Sequence, residues 1–402
     1  MAASPIPTID IESLGLDQGA LLLIRRALAE RPVGGELRVR GNSPDWRMHL
    51  EAWCRSQGHV LHFDAAQEEA LVTRGPHAEG RWLGAQSTGF AQGDADGAPA
   101  EDAAPGWGLA ARGATVEAGS PPFFFALHRR DELWAETAGE LYRQAAAAQW
   151  DPGTAIDWDA PFELPSAVEA AVVQVMTYLI ENENAALLVP ARHLGQIHPH
   201  FREVLQLLAL QCADEARHVE VFTRRATLRG HQPALSTAGG QASLRTLFDA
   251  PDFSIATFLL AVLGEGSFVN LLNFLHAHAP DPVTRQIARL TARDEARHVA
   301  FGMAHLEYRL SVQPDYQVRL RNAIELRYDT LAGTAGLNEE VFDSLVLLAA
   351  GKLSPSAIAR GHAAVQQLQR DMAAGRRARL ARLGFDRDEA QRLSELHTRN
   401  FM

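Results

Sequence analysis

Asp214-Glu215-Ala216-Arg217-His218-Val219 and Asp294-Glu295-Ala296-Arg297-His298-Val299 are the same six residues written twice in one chain of 402. On a helix, residues three apart share a face, so Glu215 with His218 and Glu295 with His298 each set a carboxylate beside an imidazole, as a two-toothed claw. With 16 histidines and ordinary glutamate content, about one E-x-x-H is expected by chance. Two identical hexapeptides are not. The bland alternative, two amphipathic turns with charges on a solvated face left by an old duplication, leaves one feature of the neighbouring sequence without a reason.

That feature is Glu265. It lies in phase with the apolar stripe Phe258, Val262, Val269 and Leu272 and is the sole carboxylate in the interior of its expected helix. A lone carboxylate on such a stripe is costly unless it meets a cation or takes a proton. Two E-x-x-H claws joined by one Glu from each of two further helices form the donor set of di-iron and di-manganese carboxylate bundles. Glu265 supplies one of the single glutamates. For the other there are two candidates: Glu183 shares a face with Val172, Met176, Leu179 and Leu187, whereas Glu181 lines up with Gln174, Thr177 and Tyr178. The apolar face favours Glu183 and leaves Glu181 as the alternative. Asp214 and Asp294 are placed to accept the outer ring N–H of the histidine in the opposite claw, the usual partner of a metal-bound imidazole.

Working outward, the sequence from Arg130 onward carries apolar residues at three- and four-residue spacing, which predicts an all-helical domain. Helices are expected near 130–149, 165–190, 199–229, 252–279, 282–311, 314–334, 338–351 and 355–383. The run Ala91 to Gly106, AQGDADGAPAEDAAPG, reads as a flexible linker. Before it, a strand at Thr8–Ile11, a helix from Gly19 to Glu30, a strand at Glu36–Arg40, a helix from Asp45 to Gln57 and a strand at Val60–Phe63 predict a small two-layer α/β sandwich. The chain is therefore expected as an α+β two-domain protein: residues 1–75, an extension and linker over 76–120, and a helical domain over 121–402.

Composition narrows the function. A formal net charge of −11 with no concentrated basic stretch argues against nucleic acid, and no run of 18 apolar residues argues for a membrane span. The first residues, with Asp10 and Glu12, lack the basic start and apolar core of a secretory signal, so a cytoplasmic location is expected. Cys54 and Cys212 are the only cysteines, which places metal chemistry on His and carboxylate donors, and Lys352 is the sole lysine. Cys54 and Cys212 are read as packing residues. His193, His198 and His200, near Pro190 and Pro199, are read as surface or capping residues. Phe123-Phe124-Phe125 is read as an anchor that docks the linker on the bundle.

On these motifs the stretch from Pro121 to Met402 resembles the ferritin-like di-iron superfamily, which includes ribonucleotide reductase small subunits, bacterial multicomponent monooxygenase subunits and the p-aminobenzoate N-oxygenase group. The resemblance implies metal ligands Glu183, Glu215, His218, Glu265, Glu295 and His298, with the four glutamates at the reacting centre. It implies two iron ions, or manganese with iron, acting with dioxygen on a small organic substrate as an oxidase or monooxygenase. No Gly-rich dinucleotide fingerprint follows a strand, so an external reductase or ferredoxin is expected as electron donor. A homodimer is expected. Tyr178 precedes the first claw, where a radical-storing reductase subunit would need a tyrosine after it, so radical storage is not expected. The competing function is a non-catalytic ferritin-like protein, an iron store or a ligand-binding sensor. The N-terminal stretch resembles the TusA-type sulfur-carrier family through Leu14-Gly15-Leu16, Gly34-Gly35-Glu36-Leu37 and Trp53-Cys54-Arg55-Ser56-Gln57-Gly58-His59. Gln18 and Gly19 stand where that family keeps its Cys-Pro, so the resemblance implies an interaction or lid module without sulfur transfer.

Overall fold

The computed structural model describes residues 5–64, 68–76, 83–90, 98–332 and 339–396. The chain forms two compact units, Met1–Ala91 with Arg112–Pro122, and Gln92–Ala111 with Phe123–Met402.

The first unit is built on a four-stranded sheet. Strands β1 (Thr8–Asp10), β2 (Glu36–Arg40), β3 (Val60–Asp64) and β4 (Glu69–Thr73) lie in the order β1-β2-β4-β3, with β1 parallel to β2 and β4 antiparallel to both its neighbours. β4 was not expected from the sequence. Helix α1 (Ala20–Ala29) buries Ala20, Ile24 and Leu28 at four-residue spacing, and α2 (Trp46–Gln57) buries Trp46, Leu50 and Cys54 in the same way. Gly58, at φ +70°, ends α2 in the left-handed conformation that glycine adopts without steric cost. Cys54 is 1% exposed and burial pushes its thiol up to about 12, so it packs and does not ionise. A short ribbon pairs β5 (Gln86–Ser87) with β6 (Thr115–Val116).

The second unit is helical. Its elements are α3 (Ala138–Ala147), α4 (Ser166–Leu194), α5 (Arg202–Thr227), α6 (Ala238–Phe248), α7 (Phe253–His278), α8 (Pro282–Val312), α9 (Tyr316–Ala332), α10 (Glu339–Ala350), α11 (Pro355–Arg382) and α12 (Arg387–Glu395). α4 packs along α5 and α7 along α8, and the two pairs close on one apolar core that includes Met176, Leu179, Val221, Phe258, Leu272 and Leu306. α7 is long and apolar enough to cross a membrane, but 89% of its apolar window is buried within the bundle, which makes it a core helix. Asp281 caps α8, accepting from the Thr284 N–H at 2.8 Å, with Pro282 as the first helical residue. Asp281 also joins Glu169 around Arg225, a fully buried guanidinium whose charge is thereby balanced from α4 and from the start of α8.

Three expectations change. The expected linker splits: residues 91–97 lie outside the described residues, whereas 98–106 are packed against the helices. Ala103 is completely buried and donates its N–H to the His128 carbonyl at 2.9 Å, and Pro105–Trp107 forms a helical turn. The expected helix at 130–149 is a short turn at Arg130–Glu132 followed by α3, and α6 and α12 are additional. His193, His198 and His200 are buried, not on the surface; segment 98–107 lies over His200, which accepts the Ala100 N–H at 2.9 Å and packs its ring on Trp107. His198 does cap a turn, accepting the His200 N–H at 3.1 Å. Of the Phe123-Phe124-Phe125 run, Phe125 packs edge-on against His198, whereas Phe124 is 83% exposed.

Candidate metal centre

Four helices each bring donors to one buried point. α4 carries Glu183, α5 carries Glu215 and His218, α7 carries Glu265, and α8 carries Glu295 and His298; none is more than 4% exposed. One ligand atom each from Glu183, Glu215, His218 and Glu295 lie within 4.8 Å of one another, and so do atoms of Glu215, Glu265, Glu295 and His298. Glu215 and Glu295 belong to both groups. The arrangement is two adjoining sites of three carboxylates and one imidazole, with two carboxylates positioned to bridge. Glu181, the alternative to Glu183, is half-buried outside the cluster and bonds to Ser236 and Gln241.

Each imidazole is oriented by the claw of the other helix. His218 turns Nδ1 toward the glutamates, 3.1 Å from Glu215 and 3.5 Å from Glu183, and Nε2 toward Asp294 at 3.2 Å. His298 mirrors it: Nδ1 lies 2.9 Å from Glu215 Oε1, without hydrogen-bond alignment, and Nε2 lies 3.4 Å from Asp214. An Nε2–H donated to the aspartate fixes the tautomer that leaves the Nδ1 lone pair facing the cluster. The arginines of the repeated hexapeptide complete the reading: Arg217 spans Asp214 and Asp294, and Arg297 does the same from the other helix. Two guanidinium charges thus balance two aspartates, leaving the four glutamates as the unbalanced charge.

Groups outside the repeat hold this layer in place. Gln149, just past α3, donates to Asp214 at 2.8 Å and accepts from Arg217 at 2.7 Å. Trp150 donates its indole N–H to Asp294 at 2.8 Å, and Arg217 stacks 4.7 Å above its ring. Gln211 donates to Glu265 at 3.3 Å. These three were not legible in the sequence, because nothing local distinguishes a Gln or Trp that a distant helix places behind a claw.

The donor set fits two divalent cations. One oxygen of each of Glu183, Glu215, Glu265 and Glu295 is buried with no hydrogen-bond donor, a costly state for a carboxylate that needs a cation or a proton to relieve it. Four carboxylate charges equal those of two divalent ions. Burial, then the charges of Glu295 and Glu215, pushes Glu183 well above the ordinary carboxylate range, and burial with Glu295 does the same to Glu265. Burial drives His218 and His298 down, but the surrounding carboxylates overcome it and hold both well above the ordinary imidazole value. Protons therefore collect where cations would bind. Cys212 lies nearby, but burial pushes its thiol up to about 11 and its Sγ packs on the Leu187 carbonyl at 3.8 Å.

The helix that carries Glu265 is irregular there. Residues Phe258–Glu265 of α7 are wound as a π-helix, a rare element that is frequent at functional sites. Beside it, a space of about 10 Å³ is bounded by Glu183, Ala186, Leu260, Gly264, Glu265 and Phe268, roughly one water-sized molecule.

No family model matches the sequence, and no curated protein matches it. Among solved structures, the chain is similar to an R2-like ligand-binding oxidase with aerobically reconstituted metal cofactor after photoconversion, at 18% identity over 65% of this chain and 90% of that one, with a TM-score of 0.44. It is also similar to an R2-like ligand-binding oxidase with aerobically reconstituted Mn/Fe cofactor (long soak), at 18% identity over 65% of this chain and 90% of that one, with a TM-score of 0.43.

Proposed function

We propose that the protein is a dimetal oxidase or monooxygenase of the ferritin-like class, holding two iron ions, or manganese with iron, through Glu183, Glu215, His218, Glu265, Glu295 and His298. The observation that carries the reading is the pair of overlapping donor groups that share Glu215 and Glu295, completely enclosed by the bundle. Such a metal pair supplies reducing electrons to dioxygen and an oxidant to a substrate. The chain's own part is to hold and orient. His218 and His298 are fixed by Asp294 and Asp214, and Arg217 and Arg297 each pair with both aspartates. The apolar walls Ala186, Leu260 and Phe268 exclude bulk water from a space that admits one small molecule, which suits dioxygen; a larger substrate requires Phe268 or Leu260 to move.

The test is metal analysis joined to oxygen consumption. Protein loaded with iron or manganese and iron should retain about two ions per chain, and Glu295→Ala should lower that number while the helical circular dichroism persists. With a reductant, the loaded protein should consume dioxygen repeatedly. Full metal content in Glu295→Ala would remove the assignment of the site. Two tightly held ions with no sustained oxygen uptake would instead favour the storage or sensor function.

A further inference from the structure

Buried arginines in the helical unit are, with one exception, matched by acids. Arg225 sits between Glu169 and Asp281, Arg217 between Asp214 and Asp294, and Arg309 faces Asp131 at 3.0 Å. The exception is a group of three. Arg327 of α9 is 7% exposed, and its Nε and Nη2 donate to Thr246 Oγ1 at 2.8 Å and Ser243 Oγ at 2.9 Å, both uncharged. Arg376 of α11 is 5% exposed, with Nε unbonded, and the Nε and Nη2 of Arg379, one turn on, are likewise buried and unbonded. Arg379 lies so close to α7 that any side chain at Gly266 would collide with its guanidinium. No carboxylate among the described residues forms an ion pair with any of the three. Burial draws each down to about 10, and at Arg376 the charges of Arg379 and Arg327 contribute to the same value. All three remain cationic at neutral pH.

A cavity of about 300 Å³ opens beside Arg327. Ile255 and Leu259 of α7 and Ala323 and Leu326 of α9 give it apolar walls, and Leu326 is 70% exposed. The other charged residues on its lining are already satisfied: Arg319 by Asp252 at 2.6 Å, and Asp249 by Arg245 at 2.8 Å. The size is at the lower end of small-molecule pockets, and apolar walls with one or two fixed polar groups are how such pockets orient a ligand. A guanidinium with a free edge matches the planar geometry of a carboxylate. The Nε–Nη2 edge of Arg327 is taken by Thr246 and Ser243, which leaves the Nη1–Nη2 end, where Nη1 makes no hydrogen bond among the described residues.

We propose that this cavity binds a small organic acid, its carboxylate on Arg327 within the positive field of Arg376 and Arg379, and its hydrocarbon body against Ile255, Leu259 and Leu326. The site stands apart from the proposed metal centre, and its occupancy does not depend on metal. The probes are benzoate and hexanoate, with benzamide as the neutral match for benzoate and inorganic phosphate as a bare anion, titrated calorimetrically into the full-length protein. Both acids should bind, and benzamide should bind at least about tenfold more weakly, the scale of losing one charge-assisted contact. Arg327→Gln should weaken the acids by a similar factor and Arg376→Gln by less, since it acts only through the field. Benzoate should also raise the melting temperature of the wild type and not that of Arg327→Gln. Equal affinity for benzoate and benzamide, unchanged affinity in a folded Arg327→Gln, or phosphate binding more tightly than either acid would overturn the proposal. The acid-against-amide comparison on wild type decides the matter even where a variant does not fold. Metal content, measured in parallel, reports on the metal centre alone.

Discussion

At the scale of single residues, each polar member of the repeated hexapeptide has a distinct task, and the tasks differ in what their loss does. Glu215, His218, Glu295 and His298 face the cluster, whereas Asp214 and Asp294 stand behind the histidines. Asp294→Asn keeps the shape but can present N–H in place of an acceptor to His218 Nε2, and it leaves Arg217 and Arg297 underbalanced. The expected result is metal affinity lowered about 10- to 100-fold with an unchanged fold, measured by competition with a chelator; wild-type affinity would refute the role. His305 tests a different property. It is fully buried, takes its place by hydrogen bonds to the Trp134 carbonyl and Ser254 hydroxyl, and burial pulls it down to about 4. The unfolded chain binds this proton near pH 6.5, so the stability His305 contributes is present above that pH and is lost as pH falls toward 4. A fall from the ordinary imidazole value to about 4 corresponds to about 3 kcal/mol. In denaturant melts, His305→Gln should show a shallower decline between pH 6.5 and 4 than wild type, and parallel declines would show that some other group controls acid sensitivity. The donors were legible in the sequence because claw spacing is local and a carboxylate on an apolar stripe is conspicuous. The burial of His198 and His200 was not legible because it comes from Phe125 and from residues 98–107, far away in sequence, and that of His193 because Phe253 packs edge-on against it from the start of α7.

At the scale of elements, long helices with regular stripes were readable to within a few residues, and the exceptions have physical reasons. α6 begins with Ala-Gly-Gly, whose low helix propensity hides it, and α12 is short and polar, with Asp386 accepting from the Asp388 and Glu389 N–H groups to start it. β4 is five residues long and carries the acid Glu69, whose burial becomes acceptable only when Arg38 and Arg40 of β2 pair with it. The π-helical stretch of α7 was invisible, since the sequence has no proline there and its stripe reads as an ordinary helix. Packing between α7 and α8 depends on Gly302, one turn after His298: a Cβ at that position would lie 2.7 Å from the Cβ of Ala261 within the π-helical stretch. Gly302→Val should gain a few tenths of a kcal/mol in helix propensity but lose about 1–3 kcal/mol to overpacking, so the net effect is destabilising. It should also spread Glu265 from Glu295 and loosen the metal. A variant with wild-type urea midpoint and metal retention would show that the two helices can part without cost to the centre.

At the scale of the whole molecule, the two units keep separate cores. The sheet unit packs Ile24, Leu37, Leu50 and Val72 with their neighbours, and no residue after Val72 belongs to that cluster. The helical clusters begin at Ala103 and contain nothing from the sheet unit. The sequence separated a mixed N-terminal stretch from a helical remainder, but it did not show that the chain passes between the two units three times. Residues 98–111 belong with the helices, and 112–122 return to the sheet unit to place β6 beside β5. A cut at residue 90 or at residue 98 therefore strands β6 and removes the Thr88 bonds to the Ala114 carbonyl, but a fragment from residue 98 onward keeps Ala100 on His200 and Ala103 in its cluster. All six donors, the supporting aspartates, arginines, Gln149 and Trp150, and the cores around them lie within that fragment. We predict that residues 98–402 fold to the helical circular dichroism of the parent unit and retain about two metal ions per chain, with any change confined to substrate affinity, assembly or solubility. The fragment and the full chain, loaded with metal side by side, should give equal metal-to-protein ratios. A folded fragment that fails to hold metal would mean that the sheet unit supplies something the centre needs, and the interaction or lid reading of that unit would have to give way to a structural one.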